Sequence, residues 1–157
     1  MNYDASYIKS AREMANNTST CLRKVIGCCY VTELQDGSKS VSYSSNIGTD
    51  YNCREKGICL KYKLSGMNEQ CSETNHLCAA LHSEIRLIEI LKKYSISPST
   101  GILYLTECPD VACANNISQF GFKRVVYGGN REIHESIKSI FNKSNIEYVH
   151  VPIIEEC

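Results

Sequence analysis

The sequence has no excess of charge of either sign: its 157 residues hold 17 Lys and Arg against 17 Asp and Glu, a formal net charge of zero. Without a basic field to neutralise a phosphate backbone, nucleic acid is not expected as the main partner. Long apolar runs are also missing. The longest, from Val25 to Val31, falls far short of the roughly 20 residues a membrane span requires, so no membrane association is expected. The opening Met1-Asn2-Tyr3-Asp4-Ala5-Ser6 lacks a basic start followed by an apolar stretch, which predicts no secretory signal and a reducing, cytoplasmic setting. Internal repeats and low-complexity segments are absent. The ten tyrosines are scattered rather than striped, which argues against a base-stacking platform for single strands.

What is present is an ordinary globular composition, 43% hydrophobic and 22% charged, in a length suited to one domain around one core. Residues 3–152 read as that domain and 153–157 as a tail. Cysteine is the abundant exception. Ten thiols in a compartment where disulfides do not persist point first to metal, then to catalysis or packing. A secreted disulfide scaffold is the rival reading, but such scaffolds are shorter and richer in loops than this periodic chain.

Tyr7, Ile8, Ala11 and Met14 or Ala15 recur at helical spacing, predicting a first helix over Asp4–Met14 with Asp4 as N-cap. Val25–Val31 predicts a strand, Asp36-Gly37 a turn, and Ser40–Asn46 the returning strand of a hairpin. From Gly48 to Cys78 there is no clean period, and a loop that long needs something to hold it. Leu77–Tyr94 carries Leu81, Ile85, Ile88 and Leu91 on one face and reads as the strongest helix. Gly101–Thr106 follows as a buried strand, Asp110–Phe120 as a helix ended near Gly121, and Lys123–Tyr127 as a strand. Glu132–Phe141 predicts a last helix and Ile146–Val151 a last strand. Strands alternating with helices in this order predict an α/β fold with a mixed sheet, helices on both faces, and a parallel portion at the C-terminal end.

Two helix starts gather chemistry. His82-Ser83-Glu84 offers a metal ligand and a proton carrier that can face one cavity, and Thr106-Glu107-Cys108-Pro109-Asp110-Val111-Ala112-Cys113 brings sulfur and oxygen ligands to a second helix start. Three ligands from the two leave a fourth position for water. This arrangement resembles the zinc deaminase signature, His-x-Glu followed by Pro-Cys-x-x-Cys, and the chain is similar to deoxycytidylate deaminases. Cys21-x-Arg23 leading into Ile26-Gly27-Cys28, the placement of Asn46 after the second strand, and the tract from Ala114 to Tyr127 carry the resemblance over residues 3–152. Two motif positions depart from it. Asp110 stands where the family has its first motif cysteine, and Ser83 replaces the usual alanine.

The resemblance implies a three-layer cytidine-deaminase-like fold with a central mixed sheet of about five strands. It implies hydrolysis of dCMP to dUMP and ammonia, with a catalytic Zn2+ held by His82, Cys113 and Asp110, or by Cys108 in place of Asp110. Glu84 would be the proton shuttle. The Ser83 amide would hold the pyrimidine carbonyl, the Cys108 carbonyl would receive the exocyclic amine, and Asn46 would bind the deoxyribose. A homo-oligomer, as large as a hexamer, is the implied assembly, with a pyrimidine deoxynucleotide as partner.

A second, structural zinc is expected from Cys21, Cys53, His76 and Cys78, with Cys59 or Cys71 as replacements. The alternative for each is a partly buried thiol packed as a small hydrophobe. Cys28 and Cys29 read as core and pocket wall, Cys157 as a free tail residue, and His134 and His150 as packed or surface residues. Two other functions compete with the deaminase: a nucleotide-binding or regulatory protein that has lost catalysis through Asp110, and a deaminase acting on a different nucleotide or modified base.

Overall fold

The computed structural model describes residues 3–48, 50–60, 63 and 80–152. Cys71, His76, Cys78 and Cys157 lie outside them, as does the start of the helix predicted from Leu77.

Helix α1 (Asp4–Thr18) is followed by the hairpin β1 (Gly27–Glu33) and β2 (Lys39–Ser45), whose ends pair Gly27 with Ser45 and Glu33 with Lys39. A two-residue strand β3 (Ile47–Gly48) and a one-turn helix α2 (Cys53–Lys56) come next. The second half runs β4 (Ala80–Leu81), α3 (Ser83–Lys93), β5 (Gly101–Leu105), α4 (Val111–Phe120), β6 (Arg124–Tyr127), α5 (Glu135–Lys143) and β7 (Glu147–His150). Five strands form one sheet in the order β2-β1-β5-β6-β7, antiparallel from β2 to β5 and parallel from β5 to β7. This is the expected mixed sheet with its parallel portion at the C-terminal end.

Both faces of the sheet are covered, and the period of two sorts each strand between them. Cys28, Tyr30, Leu103, Leu105, Val125 and Tyr127 face the core closed by α3, α4 and α5. Cys29, Val31, Tyr104 and Val126 alternate with them and meet Ile8 and Ala11 of α1. Cys28 and Cys29 are thus core residues on opposite faces, which explains why β1 reads as an unbroken apolar run rather than an alternating one. At the start of β1 the helix comes very close: a Cβ added to Gly27 would stand 2.6 Å from the Ala11 carbonyl oxygen and 2.8 Å from the Ala15 Cβ.

Several predicted boundaries move: α1 runs on to Thr18 rather than ending at Met14, and β1 covers Gly27–Glu33 rather than Val25–Val31. Asp4 is not the N-cap of α1; that place belongs to Tyr3, and Asp4 lies buried in the first turn, accepting a 2.8 Å hydrogen bond from the Tyr104 hydroxyl. The strong helix starts at Ser83 rather than Leu77, because Ala80 and Leu81 pair with Gly48 and Ile47 as a short strand. Its buried face is accordingly Ser83, Glu84, Leu87, Ile88 and Leu91, while Leu81 is exposed and Ile85 half-buried. The last helix starts at Glu135, capped by His134, whose Nδ1 accepts from the Ser136 amide. The end of α4 is as predicted: Gly121 closes it in the left-handed conformation at φ 105°.

Candidate metal centre

The sequence brings two helix N-termini together, each opened by a polar residue that serves the site. Asp110 is the N-cap of α4, and its Oδ1 accepts a 2.8 Å hydrogen bond from the Cys113 amide. Aspartate is among the best residues for this position because it satisfies a helix-start N–H that has no partner within the helix. Its second oxygen remains available, and Oδ2 lies 3.5 Å from His82 Nδ1. His82 occupies the N-cap position of α3 without capping it by its side chain, so the ring is turned to the neighbouring helix. Its Nδ1 stands 3.1 Å from Cys113 Sγ. Among the described residues, His82, Asp110 and Cys113 form the one group whose three donor atoms all lie within 4.8 Å of each other.

Cys113 is buried, whereas the His82 and Asp110 side chains keep 45% and 43% of their exposure, so the group opens to solvent on one side. Burial drives the Cys113 thiol far above its ordinary value, and the carboxylates of Glu84 and Asp110 push the same way. A bare thiolate is therefore strongly disfavoured here, and a cation among the three donors would relieve both the burial and the repulsion. Tetrahedral zinc at its usual bond lengths separates an imidazole nitrogen from a carboxylate oxygen by about 3.4 Å and from a thiolate sulfur by about 3.6 Å. The nitrogen and oxygen already stand at that spacing, and the sulfur stands closer, at hydrogen-bonding distance. The three residues fit a zinc ion.

Glu84 lies in the first turn of α3 and is buried. Its Oε2 accepts from Ser83 Oγ at 3.3 Å and from Cys113 Sγ at 3.6 Å. Burial raises its pKa above the ordinary carboxylate value, opposed by its own backbone amide and by His82. A carboxyl shifted upward beside a metal-ligating cluster is suited to both accepting and returning a proton.

The other predicted site residues are placed as follows. Cys108 is half-buried, with Sγ 3.6 Å from the Pro109 carbonyl oxygen, and lies outside the donor group. Burial raises its thiol, opposed by nearby Arg131. Ser83 is fully buried and is not itself a donor in the group. Asn46 is buried immediately before β3, whose Ile47 pairs with Leu81. Its Oδ1 accepts from Ser19 Oγ at 2.5 Å and from the Ile26 amide at 3.1 Å, and its Nδ2 donates to the Lys24 carbonyl at 2.7 Å. One hydrogen of that amide remains for a further acceptor.

Of the residues expected to hold a second metal, Cys21, Cys53 and the replacement Cys59 are described, and Cys59 is half-buried. Cys21 Sγ accepts from the Lys24 amide at 3.4 Å and Cys53 Sγ from the Leu60 amide at 3.5 Å. A 2.9 Å bond from the Arg54 amide to the Thr20 carbonyl ties their two segments together.

No local pattern in the sequence indicates how the Asp110 loop is held. Thr106, buried at the end of β5, exchanges hydrogen bonds with Gly27: its Oγ1 accepts from the Gly27 amide and its own amide donates to the Gly27 carbonyl, both at 3.0 Å. Arg12 of α1 donates to the Thr106 carbonyl at 3.4 Å. These partners lie 79 and 94 positions away in the chain, beyond any local pattern.

The family described as the cytidine and deoxycytidylate deaminase zinc-binding region matches residues 1–129. The deoxycytidylate deaminase of Schizosaccharomyces pombe is 25% identical over 144 residues, covering 90% of this chain and 42% of the relative. That of Saccharomyces cerevisiae is 24% identical over 153 residues, covering 96% of this chain and 46% of the relative. The chain therefore spans less than half the length of these curated relatives. The dCMP deaminase of cyanophage S-TIM5 superposes with a TM-score of 0.62 at 24% identity, covering 96% of this chain and all of that one. A second structure of the phage enzyme, in complex with dCMP and dUMP, gives the same TM-score over 94% of this chain and 95% of that one at 23% identity. The mixed five-stranded sheet with helices on both faces is the cytidine-deaminase-like fold of these structures, and with residues 1–129 matched the chain belongs to the cytidine and deoxycytidylate deaminase family.

Proposed function

We propose that this chain hydrolyses the exocyclic amine of a deoxycytidine nucleotide, converting dCMP to dUMP and ammonia. The observation that carries the reading is the Glu84 carboxyl, buried and 3.6 Å from the sulfur of a His82–Asp110–Cys113 donor group that fits zinc. When bound there, zinc supplies Lewis acidity and a water acidified to near neutrality. Glu84 accepts a proton from the attacking water and delivers it to the ring nitrogen beside carbon 4, then takes the proton of the new carbon-4 hydroxyl and passes it to the departing amino group, which leaves as ammonia when its bond to carbon 4 breaks. Backbone N–H groups at the start of α3 favour the pyrimidine carbonyl, and the Ser83 amide donates to it. The Cys108 carbonyl accepts from the exocyclic amine, and the remaining amide hydrogen of Asn46 is offered to the deoxyribose. The dCMP and dUMP held by the cyanophage enzyme support this choice of substrate class.

The same reading gives the chain a homo-oligomeric state, hexameric at the largest, and a structural zinc at Cys21, Cys53, His76 and Cys78. Among the described residues no helix is long and apolar enough to cross a membrane, and cytoplasmic deoxynucleotide metabolism is the proposed setting. Metal analysis combined with an ammonia-release screen over dCMP, dCTP, CMP, deoxycytidine and their 5-substituted forms tests the function. Zinc above one equivalent with turnover of a deoxycytidine nucleotide supports it. Turnover of another substrate class alone would reassign the substrate. No turnover, with at most one zinc that survives replacement of Cys113, would make the chain a binding protein on a deaminase fold.

A further inference from the structure

Asp110 divides its two oxygens between two tasks. Oδ1 caps α4 through the Cys113 amide at 2.8 Å, and Oδ2 faces His82 Nδ1 at 3.5 Å. A carboxylate can do both at once because its oxygens sit on opposite sides of one carbon. The cap also fixes the side chain: the oxygen that holds the helix start decides where the other one points. Cys108 offers the only other sulfur on this loop, and its Sγ lies against the Pro109 carbonyl, outside the donor group.

We infer that this is a one-thiolate metal centre whose carboxylate donor widens its metal selection from zinc toward a harder divalent cation, manganese. The inference rests on reading His82, Asp110 and Cys113 as the metal donors, and deepens the proposed function by addressing which ion that site takes. Replacing a thiolate by a carboxylate leaves the formal charge of the donor set unchanged, since each contributes one negative charge. The difference lies in hardness. Thiolates favour zinc and other softer ions, whereas carboxylates suit manganese, and a neutral imidazole accommodates several of these ions. The half-exposed His82 and Asp110 leave an open side on which a larger ion can keep additional water, as a site closed by two buried sulfurs would not. The cap adds rigidity, so the oxygen donor is held in place before the ion arrives.

The test uses the full chain, stripped of metal and reloaded separately with Zn(II), Co(II) or Mn(II). Affinities are measured by chelator competition and the Co(II) form by its absorption spectrum. The thiolate-to-cobalt charge-transfer band should have the intensity of one thiolate, remain unchanged in Cys108→Ser, and double in Asp110→Cys. The preference for zinc over manganese should be at least about tenfold smaller in the native chain than in Asp110→Cys. Asp110→Asn, which keeps a capping oxygen, should fold with the native melting temperature when metal-free and lose zinc affinity. A two-thiolate band in the native chain, or a band halved in Cys108→Ser, would overturn the inference by making Cys108 a donor. Equal metal preference in the native chain and Asp110→Cys would overturn it too, as would native zinc affinity in Asp110→Asn. Turnover of dCMP is followed in the same samples. A one-thiolate site with no turnover defeats the proposed reaction and sustains this inference; turnover with a two-thiolate site does the reverse.

Discussion

Replacing Glu84 by Gln should separate what this side chain does for catalysis from what it does to stability, and the two effects should have opposite signs. Glu84 is buried, its carboxyl faces the Cys113 sulfur and the Ser83 hydroxyl, and burial raises its pKa. Glutamine keeps the shape and one acceptor oxygen but neither accepts nor returns a proton. General acid–base catalysis by one positioned group contributes about 10²–10⁴-fold, so the barrier should rise by about 3–5 kcal/mol. Stability should move the other way. A carboxyl whose folded-state pKa lies above its unfolded value contributes stability below the unfolded pKa and loses it as pH rises through the folded pKa. The native chain therefore holds an ionised group at a cost in the upper part of the range, and Gln removes that cost. The gain in the metal-free protein should be on the order of 1 kcal/mol at neutral pH, or about 2–4 °C in melting temperature for a chain of this size. Near pH 4 the two proteins should melt together. Calorimetric melts of both metal-free proteins from pH 4 to pH 8, beside dCMP turnover of the loaded forms, read both effects. Native-level turnover in Glu84→Gln would remove the proton-shuttle role. A fall in melting temperature that grows with pH would refute the burial argument.

Other substitutions probe the frame around the site. Gly27→Ala drives a methyl into the Ala11 carbonyl, so urea denaturation should show a loss of about 1–3 kcal/mol, and an unchanged midpoint would contradict the close packing of α1 on β1. Tyr104→Phe deletes the hydroxyl that donates to buried Asp4 and should cost about 1–2 kcal/mol by the same measurement, without altering zinc content. Asn46→Ala removes three internal hydrogen bonds, so it should lower stability by about 2–4 kcal/mol and raise KM for dCMP. Ser19→Ala serves as its control, loosening the same loop with a smaller effect on KM. Removing zinc held at about 100 times its Kd by the His82–Asp110–Cys113 centre should lower stability by about 2.7 kcal/mol, and Cys113→Ser should abolish that part of the loss on chelation.

Much of this architecture was legible because local pattern and chemistry agree. The alternation of helices and strands marks the parallel end of the sheet, Gly121 the end of α4, and the two helix starts offer His82, Cys113 and Asp110, or Cys108 in its place, as metal donors with Glu84 as the proton carrier. Where the reading slipped, tertiary partners had overruled local signals. Asp4 looks like a helix cap, but the buried Tyr104 hydroxyl, 100 positions away, draws it into the core. Leu77–Tyr94 looks like one helix, but Leu81 pairs with Ile47 and the helix waits for Ser83. The tether of Thr106 to Gly27 and Arg12 has no sequence signature, because it joins segments that only the folded sheet brings together. The family resemblance assigns Asn46 to the sugar alone, yet three of its polar contacts fasten the Ser19–Ile26 connection, a scaffolding role that single-residue motifs do not reveal.

The central claim is that water replaces the amine at carbon 4 of a deoxycytidine nucleotide through Glu84 and the His82–Asp110–Cys113 centre. Incubating the zinc-loaded chain with dCMP in oxygen-18 water, and analysing product by mass spectrometry, tests this most directly. The account predicts dUMP bearing the heavy oxygen at carbon 4, one ammonia released for each dUMP formed, and neither product with Glu84→Gln. Recovery of unchanged dCMP from a fully zinc-loaded, folded sample would contradict it.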